Sequence, residues 1–327
     1  MRDMNVAIFV VDGVADFGYA ALIETFSMAN GLRERLPQSP PPWRVHTVSF
    51  GHRVRSGNGH SVTTMPLAEL REEVDLVIVP AVNVLDAQAL IGLVSAPHSR
   101  PVLEHIRRTH HAGGRLAAAC TGTFFLAEAG VLDGAPATTS WWLGPSFRRR
   151  YPRVVLDESR LLCRGGRITT AGASLSHMDL ALSLVHGRSP ALAELTARYL
   201  ALGNRDTQAA FAVPEVVARG DALVAAFERW VRAHLSEPLH IAAAARELGT
   251  TTRTLQRATR AEIGLTPREF ANDIRLERAA HLLRTTTLTV DSIAAHVGYS
   301  SPATLRTLVR RRHGMTLAEL RAARGPW

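Results

Sequence analysis

Arg115-Leu-Ala-Ala-Ala-Cys-Thr-Gly-Thr123 carries the strongest local signature in the chain. Leu116 to Ala119 suit a buried strand, Cys120 ends it, and Phe124 to Ala129 reads as a helix stopped by Gly130. Strand, sharp turn and helix in that order form a nucleophile elbow with cysteine in the nucleophile's place. The small residues Ala118, Ala119 and Gly122 permit the turn, and the N-terminus of the following helix would favour a thiolate. A buried structural cysteine is the competing reading of the same fragment.

Outward from the elbow, strands and helices alternate. Asn5 to Val11, Trp43 to Phe50, Val74 to Pro80 and Arg167 to Thr170 read as further strands. Phe17 to Leu32, Val102 to His111 and Leu175 to His186 carry helical spacing. This alternation predicts an α/β, flavodoxin-like domain with a mainly parallel sheet covered by helices on both faces. Ligands of such sheets bind at the carboxyl ends of the strands. Asp12, Asn83 and Cys120 all follow such ends.

The 327 residues suit two domains. With 46% hydrophobic and 20% charged residues, a packed core is expected. No run reaches the ~18 uninterrupted apolar residues a membrane helix needs. The start, Met1 to Asn5, leads into an apolar strand without a small-residue cleavage site. A soluble, cytoplasmic protein is therefore expected. Two cysteines build neither a disulfide framework nor a four-cysteine zinc site, and the fourteen histidines show no metal-ligand spacing. No metal or cofactor is expected.

The formal charge is +9, and every basic residue is arginine. From Asp221 onward there are 16 arginines against 10 acids, and before it 22 against 19. The denser surplus at the C-terminal end favours a polyanion such as nucleic acid. That end is predicted all-helical and contains a repeat. Ile241-Ala-Ala-Ala-Ala-Arg-Glu-Leu-Gly249 matches Val290-Asp-Ser-Ile-Ala-Ala-His-Val-Gly298 at an offset of 49. Leu255 with Leu305, Gly264 with Gly314, Thr266 with Thr316 and Phe270 with Leu320 continue it at an offset of 50. Each unit is a short helix, a glycine-centred turn and a second helix, the helix-turn-helix plan. The units fall at about 241–263 and 290–313. The first reading helix starts at the N-cap residues Thr251 and Thr252, and Arg253, Gln256, Arg257 and Arg260 face outward from it. Ser301, Pro302, Ala303, Arg306, Thr307 and Arg310 occupy the second. Arginine and glutamine suit bidentate reading of guanine and adenine edges, and arginines near helix ends suit phosphates.

Arg253-Thr-Leu-Gln-Arg257, Arg275-Leu-Glu-Arg-Ala-Ala-His-Leu-Leu283 and Ile293-Ala-Ala-His-Val-Gly-Tyr-Ser-Ser301 resemble the AraC/XylS family of DNA-binding domains. The resemblance implies two helix-turn-helix units joined by a long helix, here Pro267 to Leu283, entering successive major grooves of double-stranded DNA. It places base reading near Thr252, Arg253, Gln256 and Arg257, and near Pro302, Ala303, Arg306 and Thr307. Pro302 and Ala303 offer no side-chain hydrogen bonds, so the second unit is expected to read bases weakly.

Ala118 to Ala127, Gly130-Val-Leu-Asp-Gly134, Ala137-Thr-Thr-Ser-Trp141 and Thr170 to Leu182 resemble the class I glutamine amidotransferase-like domain of the PfpI superfamily, in the form fused to an AraC-type domain in GlxA-type transcriptional regulators. The domains then run 1–190 and 221–327, with a linker at 191–220. In that family's enzymes a histidine beside the cysteine takes its proton, in the phrase Thr-Thr-His-Trp. Here Ser140 stands in its place, and the early acid aligns with Gly18, with Asp16 close by. Loss of a general base costs roughly 10²–10⁴-fold. His177 with Asp179 could stand in for it.

The expectation is therefore a DNA-binding regulator, not an enzyme, with a degenerate site at Cys120 and Ser140. Asp12, Asn83, Cys120, Thr121, Ser140, Trp141, Ser174 and His177 would line a pocket for a small-molecule effector. The resemblance also implies a homodimer, and the absence of a long apolar run leaves no membrane partner expected. A cysteine-dependent hydrolase with a DNA-binding tail, and a redox sensor at Cys120, are the alternatives.

Overall fold

The computed structural model describes residues 3–71, 73–203 and 207–322; part of the expected linker (204–206) and the last residues of the expected DNA-binding domain (323–327) lie outside them. The chain divides into two compact units, residues up to 143 with 151–208, and residues 144–150 with those from 209 onward.

The first unit is built on a seven-stranded sheet: β1 (Met4–Phe9), β2 (Trp43–Ser49), β3 (Met65–Pro66), β4 (Leu76–Val79), β5 (Arg115–Ala119), β6 (Leu162–Gly165) and β7 (Ile168–Ala171). Their order is β6-β7-β5-β4-β1-β2-β3. All neighbours pair in parallel except β6 with β7. Leu76 to Val79 are all buried, the mark of a central strand covered on both faces. Sequence reading missed β6, a four-residue strand that turns back through Gly165 and Gly166. The helices are α1 (Asp16–Leu32), α2 (Ala87–Ser95), α3 (Arg100–His111), α4 (Thr123–Glu128), α6 (Ser176–His186) and α7 (Pro190–Tyr199), with α5 (Gly144–Arg150) in the second unit. Leu22, Phe26 and Ala29 recur on one face of α1 and are fully buried in a core with β1, β4 and α6. Each such leucine or phenylalanine contributes about 2 kcal/mol of apolar transfer. Asp86 and Ser189 cap α2 and α7 by accepting backbone N–H bonds from Ala89 and Leu192.

The second unit is helical: α8 (Pro214–Ala218), α9 (Ala222–Ala233), α10 (Ile241–Glu247), α11 (Thr252–Ile263), α12 (Pro267–Thr285), α13 (Val290–His296), α14 (Pro302–His313) and α15 (Leu317–Ala322). The stretch 191–220 thus carries two helices, α7 grouped with the first unit and α8 with the second. Two cores lie side by side along α12. Phe270, Ala271 and Ile274 join Val224, Phe227 and Leu255 in one. Leu276, Ala279, Ala280 and Leu283 join Ile293, Leu305 and Val309 in the other. One helix serving two cores explains why its apolar residues are not confined to a single stripe. The repeat extends to the caps. Thr266 and Glu269 form a capping box at α12, and Thr316 and Glu319 exchange the corresponding bonds at α15.

The cysteine elbow and the candidate nucleic-acid interface

The carboxyl ends of β1, β4, β5 and β7 share one edge of the sheet, because these strands are parallel neighbours. Cys120 follows β5 there with φ of 56°, a left-handed conformation that a β-carbon disfavours. Gly122 makes the elbow possible. A β-carbon on it would stand 2.6 Å from the carbonyl oxygen of Pro80. Thr121 then pins the loop after β4, its hydroxyl accepting from the Val82 N–H and donating to the Val82 carbonyl, both at 2.8 Å.

The thiol itself is enclosed, with 4% of the residue exposed. Its sulfur lies 2.8 Å from the Ser140 hydroxyl. Ser174 and Thr121 also hydrogen-bond it. Burial pushes the Cys120 thiol up from its ordinary range, and these hydrogen bonds only partly oppose it. This corrects the expectation of a thiolate stabilised by a helix N-terminus. The helix after the elbow is short, and desolvation is the larger effect.

His177 is fully buried, with both ring nitrogens engaged by the backbone. The Ala81 N–H donates to Nε2 at 3.2 Å, so Nε2 holds a lone pair. Nδ1 therefore carries the proton and donates to the Ser174 carbonyl at 2.7 Å. Burial pushes the imidazole down to about 4. A ring so bonded is not free to take the cysteine's proton, which corrects the idea that His177 with Asp179 replaces the missing base. Asp179 lines a groove with Arg164 and His186. The same ring explains the missing acid: a β-carbon on Gly18 would stand 2.6 Å from His177 Nε2. Asp16 turns instead to the hairpin made by 53–55 and 61–63. It accepts from the Asn58 backbone at 3.2 Å and side chain at 2.9 Å, and pairs with His60 Nδ1 at 2.7 Å. The His60 bond, first among these, holds the Asp16 carboxyl down at about 2.

Of the residues expected to line a pocket, Cys120, Thr121, Ser140, Ser174 and His177 form one hydrogen-bonded cluster. Asp12 and Asn83 are exposed. Asp12 accepts the Arg55 N–H at 2.8 Å, and the Asn83 N–H donates to Gly13 at 2.7 Å. Trp141 is half-buried and stacks edge-on with Trp142. Sequence reading missed two members. The Thr139 hydroxyl donates to the Cys120 carbonyl at 2.8 Å. The buried Gln208 amide donates to the Thr139 carbonyl at 2.8 Å and accepts from the Ala173 N–H at 3.1 Å. Gln208 lies in a stretch whose composition reads as linker, so the sequence carried no signal for it.

In the second unit, Gly249 and Gly298 make their turns with φ of 65° and 73°. Thr251 caps α11 by accepting from the Thr254 N–H, and Ser301 caps α14 by accepting from the Ala303 N–H. Leu255 and Leu305 are fully buried at the matching place of each helix. That burial leaves Thr252, Arg253, Gln256, Arg257 and Arg260 exposed on α11, and Ala303, Arg306, Thr307 and Arg310 exposed on α14. Pro302 and Ser301 are half-buried. The side chains on α14 are partly committed: Ser301 to its cap, and the Thr307 hydroxyl to the Ala303 carbonyl at 3.1 Å. Arg260 donates to the Gly264 carbonyl at 3.1 Å. Arg275 of α12 is buried beneath the second turn. It donates to the carbonyls of Gly298 and Glu237 and lies over the Tyr299 ring.

Residues 4–186 match the model of the DJ-1/PfpI family, more than half of the chain. The chain belongs to the DJ-1/PfpI family. Residues 244–323 match a helix-turn-helix domain, so the DJ-1/PfpI fold is followed here by a helix-turn-helix region of the AraC type. The chain is 28% identical over 319 residues to the HTH-type transcriptional regulator CdhR of Pseudomonas aeruginosa, covering 96% of this chain and 90% of that one. It is also 28% identical over 333 residues to the HTH-type transcriptional regulator GlxA of Rhizobium meliloti, covering 98% and 96%. A THiJ/PfpI family protein from Pseudomonas syringae shares the fold of the first unit, with a TM-score of 0.50 and 16% identity over 63% of this chain and 77% of that structure. Among the described residues no helix is long and apolar enough to cross a membrane.

Proposed function

We infer that this chain is a sequence-specific transcriptional regulator that reads double-stranded DNA through α11 and α14. We infer also that its DJ-1/PfpI unit is a non-catalytic module that senses a small molecule and pairs two copies in the cytoplasm. The observation that carries the reading is the contrast between the two sites. One presents arginine and glutamine on exposed, capped helices at repeat-matched positions. The other keeps its cysteine enclosed against a serine hydroxyl and holds its histidine on backbone groups. To the effector site we assign the polar groups of Thr121, Ser140, Ser174, Asp12 and Asn83, with Trp141 as an apolar wall. Two linked copies would gain affinity for a two-part operator through effective concentration.

The strained elbow at Cys120 is the observation that favours a second reading, a cysteine-dependent hydrolase. The test uses the full chain and duplexes it selects from a random pool. Cys120→Ser is expected to bind the selected duplex as the unaltered chain does, and neither is expected to give an acylation burst with an activated ester. A Cys120-dependent burst followed by turnover would establish the hydrolase instead.

A further inference from the structure

The recognition helices stand at matching places of the repeat, yet they are anchored differently. At the offset of 50, Glu262 of α11 corresponds to Arg312 of α14, and Gly264 to Gly314. Arg312 is buried and ion-paired with Asp273 of α12, so α14 is fixed by the region's own linking helix. Gly314 faces open space. Among the described residues Glu262 has no such partner on α12. It is a buried carboxylate in the last turn of its helix, where the helix dipole disfavours negative charge. Its counter-charge is Arg149 of α5, a helix from the middle of the chain that groups with the second unit and packs on α11. Among the described residues its other oxygen, Oε1, has no hydrogen-bond partner.

The neighbouring Arg148 donates to the Glu262 carbonyl at 3.3 Å. A β-carbon on Gly264 would stand 2.6 Å from Arg148 Nη2, and one on Gly220 would overlap the Glu262 carboxylate and meet Arg149. Two glycines therefore leave the space that the α5 arginines and Glu262 occupy. A buried carboxylate that loses its ion-pair partner must move toward water or take up a proton, and either shifts the helix that carries it.

We propose that Arg149 is a positioning residue for DNA reading: through Glu262 it fixes the pitch and register of α11, and with them Arg253, Gln256 and Arg257. The proposal rests on the DNA-reading function inferred above. It also places control of the first reading helix on a segment that starts four residues after Ser140, the hydroxyl partner of Cys120. The second reading helix lacks that tether.

The test measures the full chain on a duplex that the unaltered chain selects, by affinity and hydroxyl-radical footprint. Arg149→Ala is expected to lower affinity about tenfold and to lose protection only over the half-site contacted by α11. Adding Glu262→Gln removes the buried charge, and the double variant is expected to return to within about threefold of the unaltered chain. Arg149→Lys keeps the pairing and is expected to stay within the same range. Equal loss over both half-sites, with a lowered unfolding midpoint, would reduce Arg149 to a general structural role and overturn the proposal. So would unchanged affinity. A loss that Glu262→Gln does not relieve, with a shallower salt dependence, would make Arg149 a direct phosphate contact instead. Failure of the unaltered chain to select any duplex would remove the DNA-reading function itself.

Discussion

At the scale of the residue, the first unit is governed by what Cys120 and His177 can reach. The neutral imidazole is a stability element with a definite pH dependence. Its folded value, about 4, lies below its ordinary 6.5, so the unfolded chain takes up the proton first as pH falls. The stability held by the neutral ring is complete above about 6.5 and is lost as pH falls through 4, a loss of about 3 kcal/mol from this group. His313 in the second unit is also depressed to about 4, chiefly by burial, so the difference between variants isolates the effect. Urea unfolding of the unaltered chain and of His177→Gln should show a gap in stability at pH 7 that narrows steadily toward pH 4.5. Parallel profiles would show that His177 is not held neutral. Part of this site could be read from the sequence. The elbow was legible from Cys120 and its small neighbours, and the missing base from Ser140. The bonding of His177 was not, because Ala81 and Ser174 meet it only after the sheet edge forms. The loss of the acid at Gly18 and the presence of His177 are one fact in space and two unrelated ones in the chain.

At the scale of the element, the repeated turns look alike in sequence and differ in surroundings. Gly249 and Gly298 both have positive φ. Gly249 has nothing within 4 Å of its missing β-carbon, whereas Gly298 is hemmed in by Leu235, Glu237 and Arg275. Gly249→Ala should therefore lower stability by about 1 kcal/mol, the conformational cost alone. Gly298→Ala should lose about 3 kcal/mol or more, since the backbone or the buried Arg275 must also move. Thermal unfolding of the two variants distinguishes them, and equal losses would contradict the packing around Arg275. The helix-turn-helix elements were legible because apolar spacing, turn glycines and caps agree at both copies. Other elements were not. The strand Leu162–Gly165 is too short to show alternation, and α5, with Arg148, Arg149 and Arg150 in seven residues, has no stripe that announces a packing partner. Gln208 was hidden for a related reason, since polar composition between helices reads as connection whether or not one side chain is buried.

At the scale of the whole molecule, the chain joins a DJ-1/PfpI fold to a paired DNA-reading region, and the two are chemically unequal. The arginine surplus is denser in the second. Within it, α11 carries Arg253, Gln256 and Arg257 exposed, while at the matching positions α14 carries Ala303, the exposed Arg306 and a threonine bonded to its own helix. Sequence-specific affinity should therefore depend more on the first helix-turn-helix unit than on the second, with the second contributing backbone contacts and methyl packing. The most direct measurement is equilibrium binding of the full chain to its selected duplex and to a scrambled duplex across a salt series. The unaltered chain should prefer the selected duplex by about 10³-fold or more near physiological salt. Arg257→Ala should remove about ten- to hundredfold of that preference, and Ala303→Ser should change it by less than about threefold. A chain that binds both duplexes equally, or that keeps its preference in Arg257→Ala and loses it in Ala303→Ser, would contradict the assignment of DNA reading to α11.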